Sequence, residues 1–416
     1  MRINAGDTAW VLVSAALVMF MTPGLALFYG GMVRAKNVLA MLMQNFICLG
    51  IVAVLWAVCM YTLAFHGTGK WIGNLDLAFL DNANTTAASG FGALPIPPMS
   101  FSVFQLMFAI ITPALITGAI ADRMRFSAWF SFVVLWSLMV YTPVAHWVFS
   151  PFGWLFRRGA LDFAGGTVVH INAGIAALVA VLVIGRRRGW PNHPTPPHSL
   201  PLTLLGTGIL WFGWFGFNAG SALGANGIAA QAFVNTTFAA STAMLGWLLF
   251  ERIRGKHATT LGAASGAVAG LVAITPCAGF VGPMASIAIG FVAGAICYFA
   301  VSVKFKLGYD DALDVVGVHL VGGLIGSLLL GLFADRAFNP GVVHQGVLVD
   351  GGSWELMGDQ LIAVGATLLW SGVLTFVILK VLHLVIPGGL RVSEEDEQTG
   401  LDVTQHSEMG YSYDRV

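Results

Sequence analysis

The segments DFAGGTVVH at residues 162–170 and DALDVVGVH at residues 311–319 share one pattern, an aspartate followed by seven residues and then a histidine. A small residue, Gly174 or Gly323, stands four positions after each histidine. Both segments open apolar stretches that are long enough to cross a lipid bilayer. The repeated pattern indicates two equivalent helices, each of which carries a histidine about two turns from an acidic start.

The rest of the chain is far more apolar than a soluble domain. Of its 416 residues, 57% are hydrophobic and 10% are charged, with a net charge of zero, whereas soluble domains carry about 25% charged residues. A neutral chain has no basic surface with which to neutralise a phosphate backbone. The composition therefore predicts an integral membrane protein and excludes nucleic acid as a partner.

Eleven stretches approach the roughly 20 residues that are needed to cross a hydrocarbon core of about 30 Å. They begin near residues 8, 39, 99, 127, 164, 200, 230, 259, 284, 313 and 359. The connectors between them are too short to form soluble domains. We therefore predict an all-α integral membrane protein with eleven transmembrane helices, in which residues 1–386 form the transmembrane domain and residues 387–416 form a cytoplasmic tail.

The distribution of positive charge predicts the orientation of these helices. The connectors after the first, third, fifth, seventh and ninth spans hold 12 Lys and Arg residues, and the opposite side holds five. Those five are Arg2, Lys70, Arg157, Arg158 and Arg336. Because the side richer in positive charge faces the cytoplasm, we expect a multi-pass protein of the inner or plasma membrane with its N-terminus outside and its tail inside.

The same orientation makes the fifth span run inward and the tenth run outward. Segments that match in sequence but run in opposite directions are typical of inverted-repeat transporters. A weaker match, Ile-Thr-Pro at 111–113 and again at 274–276, falls in the third helix of each five-span half. We predict that spans 1–5 and 6–10 are inverted repeats and that span 11 is peripheral.

The two histidines, His170 and His319, are expected to meet near the middle of the membrane. Eight helical residues advance about 12 Å, so residues that enter a core of about 30 Å from opposite faces can approach within several ångströms of each other in depth. A buried histidine can be a simple packing group, but ionisable residues within spans are costly and usually line a pathway. A touching pair can accept or relay a proton.

Metal binding is the weaker alternative, because no third or fourth ligand lies near either histidine in the sequence. The spans also lack the HExxH and GxSxG motifs and paired catalytic carboxylates. We therefore expect neither a metal nor another cofactor, no catalytic residues, and no enzymatic activity.

Several segments resemble the ammonium transporter (Amt/Mep/Rh) family, and its Amt branch in particular. They are DFAGGTVVH at 162–170, GWFGFNAGS at 213–221, TPGLALFYGG at 22–31 and GVH at 317–319. The resemblance implies an eleven-helix protomer that assembles as a homotrimer in the bilayer, with one narrow hydrophobic pore through each subunit. It also implies ammonium or ammonia as substrate and a PII-type regulatory protein as a candidate partner on the cytoplasmic face.

The resemblance assigns roles to individual residues. His170 and His319 match the family's twin pore histidines, and Phe108 and Phe217 match its stacked phenylalanine gate. Recruitment of ammonium outside falls to Ser221, Phe104, Phe149 and Asp162, while Trp214, Thr275 and Asp311 support the pore lining. The expected function is transport in which ammonium loses a proton at the gate and ammonia crosses past the histidines.

Two departures from the family pattern stand out. Phe149 occupies the position where related transporters usually place a vestibule tryptophan, and phenylalanine offers a weaker π face to a cation. In the tail, Gly400-Leu401-Asp402 followed by His406-Ser407-Glu408 resembles the family's regulatory tail, although glycine is more usual at the position of Ser407. These two positions distinguish the chain from the usual family pattern in its outer vestibule and in its tail. The alternatives are an Rh-like channel for ammonia or carbon dioxide and an ammonium sensor that signals through its tail.

Overall fold

The computed structural model describes residues 3–92, 94–193, 195–255 and 257–411. Within these ranges the fold is all-helical, and ten helices are long and apolar enough to cross a membrane. The membrane helices are α1 (Ala5–Met32), α2 (Ala35–Phe65), α3 (Pro98–Ile120), α4 (Phe126–Arg158), α5 (Gly166–Ile184), α6 (Leu200–Gly220), α7 (Gly227–Gly255), the shorter apolar helix α8 (Thr260–Ile274), α9 (Pro283–Leu307), α10 (Val316–Phe333) and α11 (Glu355–Val385). The predicted set of eleven helices is confirmed, and the chain is a multi-pass membrane protein.

Two residues of the charge count and the last part of the predicted tail lie outside the described residues. They are Arg2 and Lys256, which entered the charge count, and the end of the tail from residue 412 to 416. Helix α8 is 15 residues long and therefore shorter than its sequence stretch. Pro276 follows its end closely, and a proline without a backbone N–H cannot continue a helix.

Equivalent helices of the two five-helix halves pack against each other in the centre of the molecule. Helix α1 lies along α6 over most of its length, and α5 contacts the start of α10. A Cβ atom at Gly206 would collide with the backbone nitrogen of Phe28, so only glycine permits this approach of α1 and α6. The close central pairs are those expected of an inverted repeat.

The aspartate of each repeated segment caps the start of its helix. The carboxylate of Asp162 accepts four backbone N–H groups, from Gly165, Gly166, Thr167 and Val168, at 2.8, 2.7, 2.8 and 3.2 Å. Asp311 accepts those of Val315 and Val316 at 3.1 and 2.7 Å. The first N–H groups of a helix have no partner within the helix, and a carboxylate also complements the positive end of the helix dipole. The shared Asp-x7-His spacing therefore has a structural cause at its first residue.

Each histidine lies in a π-helical turn that follows this cap. The turns span Gly166–Ile171 in α5 and Val316–Leu320 in α10. A π-helical turn inserts an extra residue into the helical repeat, and such turns are frequent at functional sites. The two segments are thus equivalent in backbone conformation as well as in sequence.

Buried charges join the connectors on the side where the tail lies. Arg187 binds Asp310 through Nη2 at 2.8 Å and approaches Asp122, which also binds Arg34 at 3.1 Å. Burial alone would raise the pKa of Asp310, but its hydrogen bonds and ion pair with Arg187 hold the pKa below its ordinary value. The network ties the connectors that follow α1, α3, α5 and α9 to one another.

The tail docks on these connectors through two short helices, α12 (Glu394–Thr399) and α13 (Leu401–His406). The backbone N–H of Leu401 donates to Asn37 Oδ1 at 2.8 Å, and Asp402 Oδ1 accepts the N–H of Ala40 at 2.8 Å. The buried carboxylate of Glu397 accepts the backbone N–H of Arg188 at 2.7 Å. The tail is therefore bound to the first turn of α2 and to the α5–α6 connector.

Candidate functional site

The site centres on the two histidines, which the fold brings into contact from opposite halves of the chain. The Nδ1 atoms of His170 and His319 lie 3.3 Å apart, and the rings are nearly parallel, with an interplanar angle of 18°. Both side chains are buried, with 1% and 3% exposure. Since the closest atoms are two ring nitrogens, one must donate and the other accept if a hydrogen bond forms. The pair can hold one proton between them.

A narrow cavity of about 10 Å³ lies beside the pair, about the size needed for a single water molecule. Its lining is almost entirely apolar and includes Ile111, Leu115, Trp214, Phe217 and Val268 besides the histidines. Within the described part of the chain, His170 Nε2 has no hydrogen-bond partner. The cavity thus suits one small neutral molecule, whereas a bare cation would lose its hydration without replacement.

Two phenylalanine rings close this cavity on the side opposite the tail. The ring centroids of Phe108 and Phe217 are 4.4 Å apart, and each side chain is 1% exposed. The ring of Phe217 also stacks against that of His170, with centroids 6.1 Å apart. Phe217 lines this cavity and Phe108 lines a second pocket, so the paired rings lie between the two spaces.

Trp214 forms the wall of the cavity against the first histidine. Its indole stacks on His170 with a centroid distance of 5.5 Å and an interplanar angle of 16°. The indole Nε1 donates to Thr275 Oγ1 at 2.9 Å, and that hydroxyl donates to the carbonyl of Leu271 at 2.8 Å. Thr275 therefore satisfies the one polar atom that Trp214 would otherwise bury without a partner.

Beyond these two rings lies an open pocket of about 270 Å³, which we call the vestibule. Phe108 forms its floor, and Phe149 meets Phe108 edge-on with centroids 6.5 Å apart. Its polar lining consists of Gln105, Asp162, Ser221 and Asn339. The Ser221 hydroxyl donates to the carbonyl of Phe217 at 2.9 Å, so the lone pairs of its oxygen remain available to accept from a ligand.

Two of the residues predicted to recruit ammonium, Phe104 and Asp162, are not placed as direct ligands of a bound cation. Phe104 has no exposed surface, and it packs edge-on behind Phe108 with centroids 4.9 Å apart. The carboxylate of Asp162 lines the vestibule, but its oxygens accept the backbone N–H groups at the start of α5. Burial raises the pKa of Asp162, and these backbone donors partly offset that rise. Phe104 thus supports the site from behind Phe108, whereas Asp162 borders it with a carboxylate that is engaged by the backbone of α5.

Asp311, predicted as pore support, holds the start of α10 and does not line the histidine cavity. The vestibule also contains Gln105, which the sequence reasoning missed. The available signal was a single amide-bearing residue in an apolar span, three positions before Phe108 on the same helical face. The Trp214–Thr275 bond was also missed, because the two residues are 61 positions apart.

A bundle of membrane-crossing helices that encloses an apolar cavity and an adjoining open pocket defines a channel-like membrane protein. The family model of the Ammonium Transporter Family matches residues 9–411. The chain therefore belongs to the ammonium transporter family, whose members are transport proteins and not enzymes. Membership implies ammonium or ammonia as the substrate.

Relatives and solved structures agree with this membership. An ammonium transporter of Mycobacterium bovis is 50% identical over 435 residues, which cover 99% of this chain and 91% of the relative. The crystal structure of Saccharomyces cerevisiae Mep2 superposes with a TM-score of 0.87 at 35% identity, covering 95% of this chain and 91% of that one. A structure described as a sensor Amt protein has a TM-score of 0.87 at 30% identity, covering 96% and 98%.

Proposed function

We propose that the protein recruits ammonium in the vestibule, removes a proton near the Phe108–Phe217 gate, and conducts ammonia past His170 and His319. The observation that carries the proposal is the 3.3 Å contact between the two buried imidazoles at the end of a gated, single-molecule cavity. Phe149, Phe108 and Ser221 hold the cation by cation–π contacts and a charge-assisted hydrogen bond. Phe104 supports that site from behind Phe108, and Asp162 borders it.

Selectivity against potassium follows from this chemistry. Potassium and ammonium carry the same charge and are of similar size, but potassium has neither hydrogen-bond donors nor a removable proton. The apolar cavity imposes a large desolvation cost on a bare cation. Ammonia escapes that cost by leaving its proton behind, and the histidine pair offers an acceptor for it.

Current and uptake recordings on the protein reconstituted in liposomes test the proposal. An ammonium gradient should drive uptake by the wild type, with potassium excluded, and His170→Ala and His319→Ala should each lose uptake or admit potassium. His383→Ala is the matched control, since this exposed histidine at the tail end of α11 lies away from the cavity. Full activity and intact potassium rejection in both pore variants would refute the assigned role.

The same recordings decide how the proton moves. A current that accompanies uptake means that the proton follows along the histidine pair, whereas uptake without current means net ammonia transport. Uptake of carbon dioxide together with current-free ammonia uptake would support the Rh-like alternative.

A second candidate function is ammonium sensing, which is favoured by the 30% identity to a structure described as a sensor Amt protein. The docked tail, whose helices contact α2 and the connectors, offers a route by which occupancy of the pore reaches a partner. Binding of ammonium without any transport in liposomes would support sensing over transport.

We further propose the arrangement of the chain in the cell. Residues 1–386 form the transmembrane domain of a homotrimer in the inner or plasma membrane, with the N-terminus outside, and residues 387–416 form a cytoplasmic tail that a PII-type protein contacts. The mass of the protein in detergent tests the trimer. Labelling of single cysteines at Phe79 and at Thr399, which lie on opposite sides in this proposal, tests the orientation.

A further inference from the structure

We propose that Gln105 is a second hydrogen-bond acceptor for ammonium in the vestibule and acts together with Ser221. The inference rests on the proposed transport function and assigns a residue to which neither the motifs nor the family resemblance gave a role. The polar side chains that line the vestibule are those of Gln105, Asp162, Ser221 and Asn339.

The polar atoms of the other amide and of the carboxylate already have hydrogen-bond partners. The four N–H groups at the start of α5 occupy the oxygens of Asp162. Asn339 donates to the carbonyl of Gly279 at 2.9 Å and accepts the N–H of Gly341 at 2.9 Å. Among the residues that the structure describes, no hydrogen-bond partner exists for the buried Oε1 of Gln105. A buried amide oxygen without a partner costs about 1–3 kcal/mol, so Gln105 has a reason to bind a donor.

The position of Gln105 suits a ligand that rests on the gate. It lies three residues before Phe108 on α3, so both side chains project from the same face of the helix. It is only 9% exposed, yet it lines the same pocket as Phe149 and Ser221. A half-turn of the terminal carboxamide exchanges its oxygen and nitrogen within the same space, so the acceptor can face the pocket without movement of the helix.

The chemistry of the substrate explains why a second acceptor matters. Ammonium donates four hydrogen bonds in water, and it must give up most of its water above an aromatic gate. Ser221 replaces one water and Gln105 replaces another, while the rings of Phe108 and Phe149 face the remaining N–H groups. Because Phe149 is a weaker π partner than tryptophan, the hydrogen bonds carry a larger share of recruitment in this chain. A neutral amide also holds the cation less tightly than a carboxylate, which favours its onward movement.

The test compares the ammonium concentration at half-maximal uptake in liposomes. Gln105→Leu and Gln105→Met, which keep side-chain volume without an acceptor, should raise that concentration about tenfold and leave the maximal rate within about twofold, as expected for the loss of one hydrogen bond to a charged group. Gln105→Glu should lower the half-maximal concentration and the maximal rate together, because it retains the cation. Gln231→Leu is the matched control, since this half-buried glutamine on α7 does not line the vestibule.

The outcomes separate this inference from the proposed function. Absence of uptake by the wild type contradicts the function itself. Uptake by the wild type with an unchanged half-maximal concentration in both Gln105→Leu and Gln105→Met overturns the role of Gln105 alone. A fall in maximal rate without a change in half-maximal concentration means a structural role only, and it overturns the inference in the same way.

Discussion

The indole Nε1 of Trp214 donates a hydrogen bond to Thr275 Oγ1 over 2.9 Å, and the same indole stacks on the imidazole of His170. The bond connects the end of α8, in the second half of the chain, to the wall of the pore. We therefore expect the Thr275 hydroxyl, which does not line the histidine cavity, to help hold the indole against His170.

Removing that hydroxyl should disturb the pair. In Thr275→Val the indole N–H stays buried without a partner, which costs about 1–3 kcal/mol. We expect a lower unfolding temperature in detergent and a clear loss of ammonium uptake. Thr237→Val, a similar change on an exposed face of α7, should leave both unchanged. Wild-type uptake by Thr275→Val would show that the stacked indole does not position His170.

Restoring tryptophan at the vestibule should strengthen recruitment. Phe149 borders the vestibule edge-on to Phe108, and tryptophan is the better partner for a cation–π contact, which is worth about 0.5–1 kcal/mol at an exposed site. Phe149→Trp should lower the ammonium concentration at half-maximal uptake by about two- to fivefold. Phe130→Trp, at an exposed position of α4, serves as the control. Identical affinities of the wild type and Phe149→Trp would contradict a looser outer site.

Replacement of each capping aspartate by asparagine should lower the stability of the protein to a different extent. Asp162 uses both carboxylate oxygens to accept four N–H groups, and an asparagine there would turn an NH₂ group toward two of those donors. Asp311 accepts two. Each unsatisfied buried group costs about 1–3 kcal/mol. Asp162→Asn should therefore lower the unfolding temperature more than Asp311→Asn, and calorimetry in detergent measures the order. The reverse order would contradict the capping account.

Docking of the tail should weaken as the pH falls. Burial lowers the pKa of His406 below its ordinary value of 6.5, although the nearby Asp402 and Glu408 partly oppose that shift. A pKa that is lower in the docked state means that docking is favoured above about pH 6.5 and is lost as the pH falls through both values. The docked ring packs edge-on against Phe126, with centroids 5.0 Å apart.

The distance between spin labels at Thr399, in the tail, and Ser127, in α4, can be used to follow this docking. The pH is lowered from 7.5 to 5.5, about one unit on each side of the ordinary histidine pKa. Over this change the distribution of distances between the two labels should broaden in the wild type. His406→Phe keeps a ring against Phe126 and cannot be protonated, so it should stay docked. Equal pH responses in the two proteins would exclude His406 as the cause.

The sequence alone determined the class of fold and the central pair of residues. Long apolar stretches can be satisfied in lipid only by helices that bond their own backbone, so the helix count follows from hydropathy. The Asp-x7-His repeat predicted that His170 and His319 approach each other in depth, because each histidine follows the start of its helix by the same number of residues. These properties depend on local periodicity, which a sequence displays directly.

Tertiary structure decided which residues behind the pore act on it. Phe104 packs behind Phe108 and does not line the vestibule. Thr275 bonds Trp214 across 61 residues. Gln105, which lines the same pocket as Ser221, has an amide oxygen without a partner among the residues that the structure describes. A hydrogen bond or an unsatisfied oxygen depends on distances of a few ångströms between segments far apart in the chain, and such distances follow only from how the helices pack.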